Sequence, residues 1–259
     1  MKKYFLFISI IFFVPSSHAQ DFSAYQKIFF VEGKDTLPYR LLLPENYVAT
    51  KKYPLILFLH GRGECGTDNE KQLWHGAGLF LKDSIRKKYP AIIVFPQCPE
   101  TSYWSNVDIK EDSRGKRNFN FSPAGKSTIA MALTEKLLMH LQQKFLVNKK
   151  QVYVMGLSMG GMGTFEIVRR NQKLFAAAMP ICGGANTTTA KQLKQTNWWI
   201  FHGAKDEVVN PDFSKQMFEA LKSVNAKVKF TLYPEANHNS WDSAFAEPEF
   251  LAWLFAQHK

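Results

Sequence analysis

A serine between glycines stands at the boundary between a predicted strand and a predicted helix. Residues 156–160 read Gly-Leu-Ser-Met-Gly, after an apolar run at 152–155 and before a run with helical spacing. The flanking glycines allow a turn sharp enough to expose the Ser158 hydroxyl at the end of a strand. A serine presented in this way is suited to nucleophilic catalysis. Because the same pentapeptide also occurs in ordinary glycine-rich turns, its meaning depends on what surrounds it.

A base and an orienting acid follow the serine in the chain. A serine hydroxyl is a weak nucleophile unless a base removes its proton and an acid holds that base in place. Asp206 follows an apolar run at 198–201, and His238 follows a run at 228–233. All three side chains therefore come at the carboxyl ends of predicted strands. This order and placement predict a Ser158–His238–Asp206 triad.

Three neighbouring residues compete for roles near the predicted acid and base. Glu207 is adjacent to Asp206 and would point away from the histidine if Asp206 faces it. Asp242 lies four residues after His238, which is too close in sequence for the usual acid. His202 ends a predicted strand, and we expect it to pack or to hydrogen-bond locally.

The negative oxygen of a tetrahedral intermediate requires N–H donors that are already in place. The backbone N–H of Met159, directly after the serine, is one expected donor. The second is expected from the glycine-rich segment 60–66, where we predict the N–H of Arg62, with Gly61 as the alternative. The side chains of Arg62 and Glu64 can pair with each other and brace this segment.

Three tryptophans are candidates for lining a shallow substrate site: Trp74, Trp104 and Trp241. Trp241 lies three residues after His238, so its ring is expected near the leaving group. Aromatic rings offer a flat apolar surface to an aryl acyl group or to a sugar. Each of the three can equally be a core residue or a loop anchor.

The segments that position these residues alternate between strand and helix patterns. Continuous apolar runs predict buried strands at 54–60, 91–95, 152–155, 175–180, 198–201 and 228–233. Helical spacing is found in a segment starting near Ser127, at 213–224 and at 247–257. This alternation predicts an α/β fold with a mostly parallel sheet and helices on both faces.

Two further segments complete the predicted architecture. Apolar runs at 26–31 and 37–43 predict an antiparallel hairpin at one edge of the sheet. Segment 101–124 is polar and shows no regular period, which predicts a long loop. Because it follows the carboxyl end of a strand, where ligand sites of such sheets lie, we expect this loop near the site.

The first 19 residues have the pattern of a secretory signal peptide. Lys2 and Lys3 precede an apolar stretch at 4–14, and a small-x-small ending at 17–19 predicts cleavage after Ala19. The sequence thus predicts a single catalytic domain at 20–259 in a secreted or periplasmic protein. The apolar stretch is too short to cross a bilayer comfortably, and no later segment is apolar for long enough, so we expect no membrane span.

The formal net charge of +11 suggests a polyanionic partner, but the lysines are scattered in pairs rather than gathered in a basic run. This distribution indicates a solvated surface and no nucleic-acid partner, although it can still attract acidic polysaccharide or an anionic cell surface. Of the three cysteines, Cys65 and Cys98 follow neighbouring strands and can form a disulfide in an exported protein. No Cys/His spacing fits a zinc site, and the predicted chemistry requires no cofactor. The sequence gives no signal for the oligomeric state.

Five short motifs resemble those of secreted bacterial α/β-hydrolases. They are His-Gly-x-Gly-Glu at 60–64, Pro-Gln-Cys-Pro at 96–99, Gly-Leu-Ser-Met-Gly-Gly at 156–161, His-Gly-x-x-Asp at 202–206 and Asn-His-x-x-Trp at 237–241. This group contains carboxylesterases, feruloyl and acetyl-xylan esterases, and relatives of dienelactone hydrolases and prolyl oligopeptidases. The resemblance covers nearly the whole chain after residue 19. It implies the α/β-hydrolase fold, with Ser158 as nucleophile, His238 as base and Asp206 as orienting acid.

The resemblance implies hydrolysis of carboxylic esters through an acyl-enzyme, with feruloyl or acetyl esters of plant polysaccharides, or related small esters, as substrates. Ser158 departs from the cysteine nucleophile typical of dienelactone hydrolases, and 259 residues leave no room for the propeller domain of prolyl oligopeptidases. A small serine peptidase is the alternative. Amide cleavage needs a protonated leaving nitrogen and strong substrate alignment, and the chain shows no obvious peptide-binding domain. A non-catalytic binding module with the same fold is a third hypothesis.

Overall fold

The strands form two sheets in the computed structural model, which describes residues 20–113, 115 and 117–259. The predicted signal peptide, residues 1–19, lies outside the described residues. The strands are β1 (Gln26–Glu32), β2 (Asp35–Leu42), β3 (Tyr53–Leu59), β4 (Ile92–Pro96), β5 (Val107–Glu111), β6 (Arg117–Phe121), β7 (Val147–Leu157), β8 (Ala177–Ile181), β9 (Asn197–Gly203) and β10 (Val228–Tyr233). Each predicted apolar run coincides with a strand of the main sheet, although β7 begins well before the predicted 152.

The main sheet has eight strands in the order β1-β2-β4-β3-β7-β8-β9-β10. The six strands from β4 to β10 in this order are parallel. The hairpin of β1 and β2 is antiparallel and joins β4 in the antiparallel sense. The predicted mixed edge is therefore confirmed. Because the central strands are parallel, their carboxyl ends meet at one edge of the sheet, and the loops that follow them lie together.

Helices cover both faces of the main sheet. They are α1 (Ala77–Leu81), α2 (Asp83–Lys88), α3 (Ile129–Lys144), α4 (Met159–Arg170), α5 (Ala190–Leu193), α6 (Asp212–Ser223), α7 (Trp241–Phe245) and α8 (Phe250–Phe255). Alternate side chains of β3 show the two layers. Leu57 packs in a core with buried residues of α3, α4 and α6, whereas Phe58 packs on the opposite face with those of α1 and α8.

The predicted start of α3 near Ser127 is close to the observed one. Thr128 caps the helix, and its hydroxyl oxygen accepts a hydrogen bond from the Met131 N–H at 3.2 Å. The apolar stripe of the helix packs from Leu133 onward, while Ile129 at its first position is exposed. In the described part of the chain, none of the helices combines the length and apolarity needed to cross a bilayer.

Segment 101–124 is not the irregular loop that its polar composition suggested. Strands β5 and β6 pair antiparallel within it and form a small sheet of their own. The aromatic residues Phe119 and Phe121 of β6 are buried and pack with Met162 of α4 and with Val209. The exposed alternate residues of β6 are polar, so the strand pattern was present but short and flanked by charge.

Candidate active site

Ser158 occupies a strained turn between β7 and α4. Its backbone has φ 54° and ψ −117°, a conformation that residues with a side chain adopt rarely. The glycines on either side permit this turn. A Cβ on Gly160 would lie 1.9 Å from the Leu59 carbonyl oxygen, and one on Gly156 would lie 2.4 Å from the Gly160 carbonyl oxygen. The Ser158 N–H donates to the Ile181 carbonyl at 2.9 Å, which ties the turn to the neighbouring strand β8.

Three side chains from three separate loops form one hydrogen-bonded chain. Nδ1 of His238 lies 2.8 Å from Oδ2 of Asp206, and Nε2 of His238 lies 3.0 Å from Oγ of Ser158. Because a carboxylate only accepts, Nδ1–H donates to Asp206, and Nε2 is left to accept from the Ser158 hydroxyl. The structure therefore brings together the three residues that the sequence singled out. The arrangement suits proton transfer from the serine to the histidine.

The carboxylate of Asp206 is buried and held by several donors. Oδ1 accepts from the backbone N–H groups of Val208 and Val209, each at 2.9 Å. Oδ2 lies 3.1 Å from Nε2 of His202 in addition to its contact with His238. Burial would raise the pKa of Asp206, but the hydrogen bonds from His202, His238 and Val209 outweigh it and hold this pKa far below its ordinary value. Asp206 is therefore ionised at neutral pH. Among the described residues, no comparable set of hydrogen-bond donors surrounds Glu207, which is exposed.

The two expected N–H donors of the oxyanion site each begin a helical turn. Met159 is the first residue of α4, and Arg62 is the first residue of a 3-10 turn spanning Arg62–Glu64. Amides at such positions have no acceptor within their own helix and are free to bind a ligand oxygen. The loop lies against the serine, since a side chain on Gly61 would start 3.6 Å from Cβ of Ser158.

The side chains of Arg62 and Glu64 do not brace the loop by pairing with each other as expected. The Arg62 guanidinium donates to the carbonyls of Glu100 at 2.7 Å and Ser102 at 2.9 Å, which links the loop after β3 to the loop after β4. Glu64 is buried, with Oε1 3.7 Å from Nε2 of His75. Carbonyl oxygens compete well for a guanidinium because its planar donors can reach two of them at once.

The disulfide considered for Cys65 and Cys98 is not formed, and both residues are buried free thiols. The Cys98 thiol donates to the Pro99 carbonyl oxygen at 3.5 Å, and the Arg62 guanidinium donates to Sγ of Cys65 at 3.5 Å. The neighbouring Cys98 side chain is the main cause of the lowered pKa of Cys65. A backbone hydrogen bond from the Gly66 N–H to the Cys98 carbonyl, at 3.0 Å, joins the loops after β3 and β4 without a covalent bond.

The three tryptophans have different environments. The ring of Trp241 lies 5.5 Å from the ring of His238 in an edge-to-face arrangement, as its spacing from the histidine predicted. Trp104 is fully buried, and its indole N–H donates to the His60 carbonyl at 3.1 Å, so it anchors a loop and does not line a substrate site. Trp74 is exposed, and it is its neighbour His75 that contacts Trp241, at 5.1 Å between ring centroids. A substrate role for Trp74 stays a prediction.

A cavity of about 230 Å³ opens beside Ser158. Its walls are mostly apolar or aromatic, and the hairpin of β5 and β6 contributes to them, in agreement with the expected position of segment 101–124. The lining residues are Arg62, Tyr103, Ile109, Arg117, Phe119, Ser158, Met162, Val208 and Val209. A larger open hollow of about 540 Å³ shares Arg62, Tyr103 and Ile109 with this cavity. The cavity beside Ser158 thus adjoins a more open hollow that is lined in part by Val107 and Ile109 of β5.

Sequence reasoning missed most of the cavity wall. Met162 lies one helical turn after the serine, so its position on α4 could have been inferred from the helix period. Phe119 could have been found from its alternation with polar neighbours on a short strand. Tyr103, Val208 and Val209 lie in irregular segments, where no periodic signal indicates the direction of a side chain.

One group of potential metal ligands occurs among residues 20–113, 115 and 117–259, formed by Cys182, Asp206 and His238. Two of its members already hydrogen-bond to each other as described above. Burial raises the pKa of the Cys182 thiol well above its ordinary value, so the thiolate that a metal would require is disfavoured. The chemistry of this group fits proton transfer better than metal binding.

Comparisons with known proteins find similarity to esterases. The Esterase family model matches residues 32–242. Lysophospholipase-like protein 1 from Mus musculus is 24% identical over 191 residues, covering 71% of this chain and 79% of that protein. The endo-1,4-beta-xylanase/feruloyl esterase of Xylanibacter ruminicola is 28% identical over 207 residues, which is 78% of this chain but 25% of the longer relative.

Solved structures share the fold. A thermostable esterase superposes with a TM-score of 0.81 at 30% identity and covers 91% of this chain, which spans 64% of that chain. A ferulic acid esterase from Anaeromyces mucronatus, solved with ferulic acid, has a TM-score of 0.64 at 17% identity, covering 93% of both chains. An acylaminoacyl peptidase has a TM-score of 0.58 at 14% identity and covers 90% of this chain and 41% of its own. At 17% and 14% identity, the last two matches show a shared fold alone.

Proposed function

Because this chain belongs to the Esterase family, we propose that it is a serine carboxylesterase that forms its acyl-enzyme on Ser158. The observation that carries the proposal is the unbroken hydrogen-bonded chain from the Ser158 hydroxyl through His238 to the buried carboxylate of Asp206. Such a chain supplies what a serine needs to act as a nucleophile at neutral pH.

The proposed reaction has two halves. In the first, His238 Nε2 accepts the Ser158 proton while Oγ attacks the ester carbonyl carbon. The carbonyl oxygen becomes negative and accepts hydrogen bonds from the N–H groups of Met159 and Arg62. His238 then returns the proton to the departing alkoxide, and the acyl-enzyme remains. In the second half, water takes the place of the alcohol and the same steps release the carboxylic acid.

Asp206 supports this cycle by holding His238 in one tautomer. Its ionised carboxylate keeps the proton on Nδ1, so Nε2 faces the serine as an acceptor. When His238 becomes positive during the reaction, the same carboxylate stabilises the imidazolium. The low pKa of Asp206 keeps the carboxylate charged throughout the pH range in which His238 acts as a base.

For the substrate, we propose feruloyl or acetyl esters of plant polysaccharides, or related small esters. The apolar and aromatic walls of the cavity, which include Phe119, Met162 and Val209, suit an aryl acyl group. The adjoining hollow offers space for a larger alcohol such as a sugar chain. The relative from Xylanibacter ruminicola is named a feruloyl esterase and the structural match from Anaeromyces mucronatus a ferulic acid esterase, and both names support the same substrate class.

The test compares residues 20–259 with their Ser158→Ala variant on methyl ferulate, p-nitrophenyl acetate and a proline p-nitroanilide. We expect wild-type turnover of an ester and a loss of about 10³-fold or more in the variant. Preference for ferulate would support an aryl acyl pocket, and acetate turnover alone would indicate a small-acyl deacetylase. Cleavage of the anilide alone would replace the proposal with the peptidase alternative. Ester turnover that does not depend on Ser158 would refute the nucleophile.

A further inference from the structure

Asp206 receives hydrogen bonds from two histidines, and only one of them belongs to the proposed triad. Oδ2 lies 2.8 Å from Nδ1 of His238 and 3.1 Å from Nε2 of His202. The other oxygen is taken up by two backbone N–H groups of its own loop. The single oxygen that orients His238 is therefore shared with a second imidazole.

The ring of His202 is held by contacts at both of its nitrogens. The residue is fully buried near the end of β9, and its Nε2 also lies 2.9 Å from the Val209 carbonyl oxygen. Because both neighbours of Nε2 are acceptors, Nε2 carries the proton. On the other side of the ring, Nδ1 lies 2.7 Å from Oγ of Ser214 in α6, and that hydroxyl lies 2.9 Å from the Gly183 carbonyl after β8.

These contacts fix the ring by means of three elements of the fold, β8, β9 and α6. A histidine that served only to fill the core would not need its Nε2–H directed at a carboxylate. The N–H groups of Val208 and Val209 hold only Oδ1 of Asp206, so the direction of Oδ2 is set by His202 and His238. The arrangement resembles the outer hydrogen-bond partners that orient reactive groups in enzymes.

We propose that His202 is a positioning residue of the hydrolase, whose Nε2–H holds Oδ2 of Asp206 in line with His238 and takes up part of the charge of that oxygen. The inference rests on the proposed function. Without this donor, Oδ2 would be free to rotate away from His238. Its full charge would also fall on His238 alone, which favours the protonated, inactive form of that base.

The test uses two replacements of similar size. Glutamine at 202 carries an amide N–H that can take the place of Nε2–H, whereas leucine carries no donor. We expect His202→Leu to lower kcat by about 10- to 100-fold with little change in KM, since the loss affects orientation and not substrate binding. In a plot of kcat/KM against pH, the acidic limb of this variant should move to higher pH. His202→Gln should recover most of kcat and return the limb towards the wild-type position.

Ser223→Ala is the matched control, because it removes a hydroxyl from the same helix, α6, that donates to the Ala220 carbonyl and does not contact His202. We expect it to retain most of the activity. Among the described residues, Glu64 and Cys182 are the charged or titratable groups that face His238 besides Asp206, and none of the variants alters them. A shift of the acidic limb can therefore be assigned to the hydrogen bond from His202.

A readout without a substrate separates this inference from the proposed function. The rate at which a fluorophosphonate labels Ser158 is measured against pH for each variant, after circular dichroism has shown a native melting transition. The inference is supported if His202→Leu is labelled slowly and the acidic limb of its plot of labelling rate against pH is shifted, and if His202→Gln recovers both the rate and the position of the limb. Equal losses in both variants with an unshifted limb would reduce His202 to a packing role, and full activity of a folded His202→Leu would also overturn the proposal.

If His202→Leu does not fold, His202→Asn takes its place. The asparagine amide reaches the position of Nδ1 but not that of Nε2, so we expect it to fail where glutamine succeeds, and equal behaviour of the two would overturn the inference. Failure of the proposed function has a different signature. The wild-type protein itself would then show neither ester turnover nor fluorophosphonate labelling that depends on Ser158.

Discussion

The dipeptide His-Gly stands at the carboxyl ends of two strands of the main sheet, directly after β3 and as the last residues of β9, and a carboxylate follows each histidine four residues later. At the end of β3, His60 precedes Glu64, and at the end of β9, His202 precedes Asp206. The two regions differ in what the carboxylate does. Oδ2 of Asp206 lies 3.1 Å from His202, whereas Oε2 of Glu64 stays 4.0 Å from Nδ1 of His60.

The partners of the two buried rings explain this difference. Nδ1 of His60 lies 2.6 Å from the Gly61 carbonyl, and Nε2 accepts the Cys98 N–H at 2.9 Å, so both nitrogens are occupied by backbone groups of a neutral ring. Burial lowers the pKa of His60 to about 4. In both cases the strand end places a histidine beside the site. The loop that follows determines whether this histidine hydrogen-bonds to backbone groups, as His60 does, or to a carboxylate, as His202 does.

The largest expected effect comes from neutralising the two carboxylates in turn. We expect Asp206→Asn to lower kcat by about 10³- to 10⁴-fold, because the amide favours the wrong tautomer of His238. Glu64→Gln should cost far less, since Glu64 makes no hydrogen bond to His238. The measurement is kcat on an ester that the wild type hydrolyses, with Glu207→Gln as the control for the adjacent acid. Comparable losses in the Glu64 and Asp206 variants would remove the distinction between the two regions.

The second effect is on stability in acid. Because the pKa of His60 is about 4 in the folded state and 6.5 when unfolded, the unfolded chain binds more protons between these values. The contribution of His60 to the free energy of unfolding therefore decreases as pH falls through this window, by about 3 kcal/mol in total. Asp206 behaves differently, since its lowered pKa makes its contribution present throughout the window and lost only in stronger acid.

Urea unfolding at several pH values between 7 and 4 measures this contribution. A His60→Gln variant lacks the titrating ring, so its free energy of unfolding should fall less steeply over the window than that of the wild type. Parallel curves for the two proteins would show that His60 does not titrate as the structure requires.

The smallest effect concerns the anchor of the His60 region. Trp104→Phe removes the indole N–H bonded to the His60 carbonyl and part of a buried ring, and we expect a loss of about 2 kcal/mol of stability. Trp198→Phe is the matched control. Trp198 lies near the start of β9, at the end of the strand away from the site, and its indole N–H donates to the Leu193 carbonyl of α5. Both variants should melt earlier, but a decrease of several-fold in kcat/KM is expected for Trp104→Phe alone. Equal activities would show that this anchor does not reach the site.

The main sheet was predictable because strands buried on both faces are written as continuous apolar runs. The run at 198–201 lies within the buried strand β9, and the order of Ser158, Asp206 and His238 was enough to anticipate which loops meet. Parallel strands bring their carboxyl ends to one edge whatever the details of packing, so the meeting of these side chains followed from topology.

Other features could not be inferred because they depend on contacts between distant segments. Trp104 and Trp241 look alike in sequence, yet one ring is enclosed beneath the loop after β3 and the other lies beside His238. Strands β5 and β6 have few apolar residues, and their pairing partner is each other, so no long apolar run marks them. The carbonyl groups of Glu100 and Ser102 that bind Arg62 could not be predicted either, since every residue type carries a backbone carbonyl.

The separate sheet of β5 and β6 bears on how such a protein diversifies. Its strands share no ladder with the main sheet, so a change in the length or sequence of the hairpin leaves the register of the eight strands intact. The hairpin nevertheless supplies Ile109, Arg117 and Phe119 to the cavity beside Ser158. Mutations in the hairpin can therefore change which molecules fit the cavity while the reactive groups keep their places. Related proteins with the same reactive groups can in this way evolve to accept different substrates.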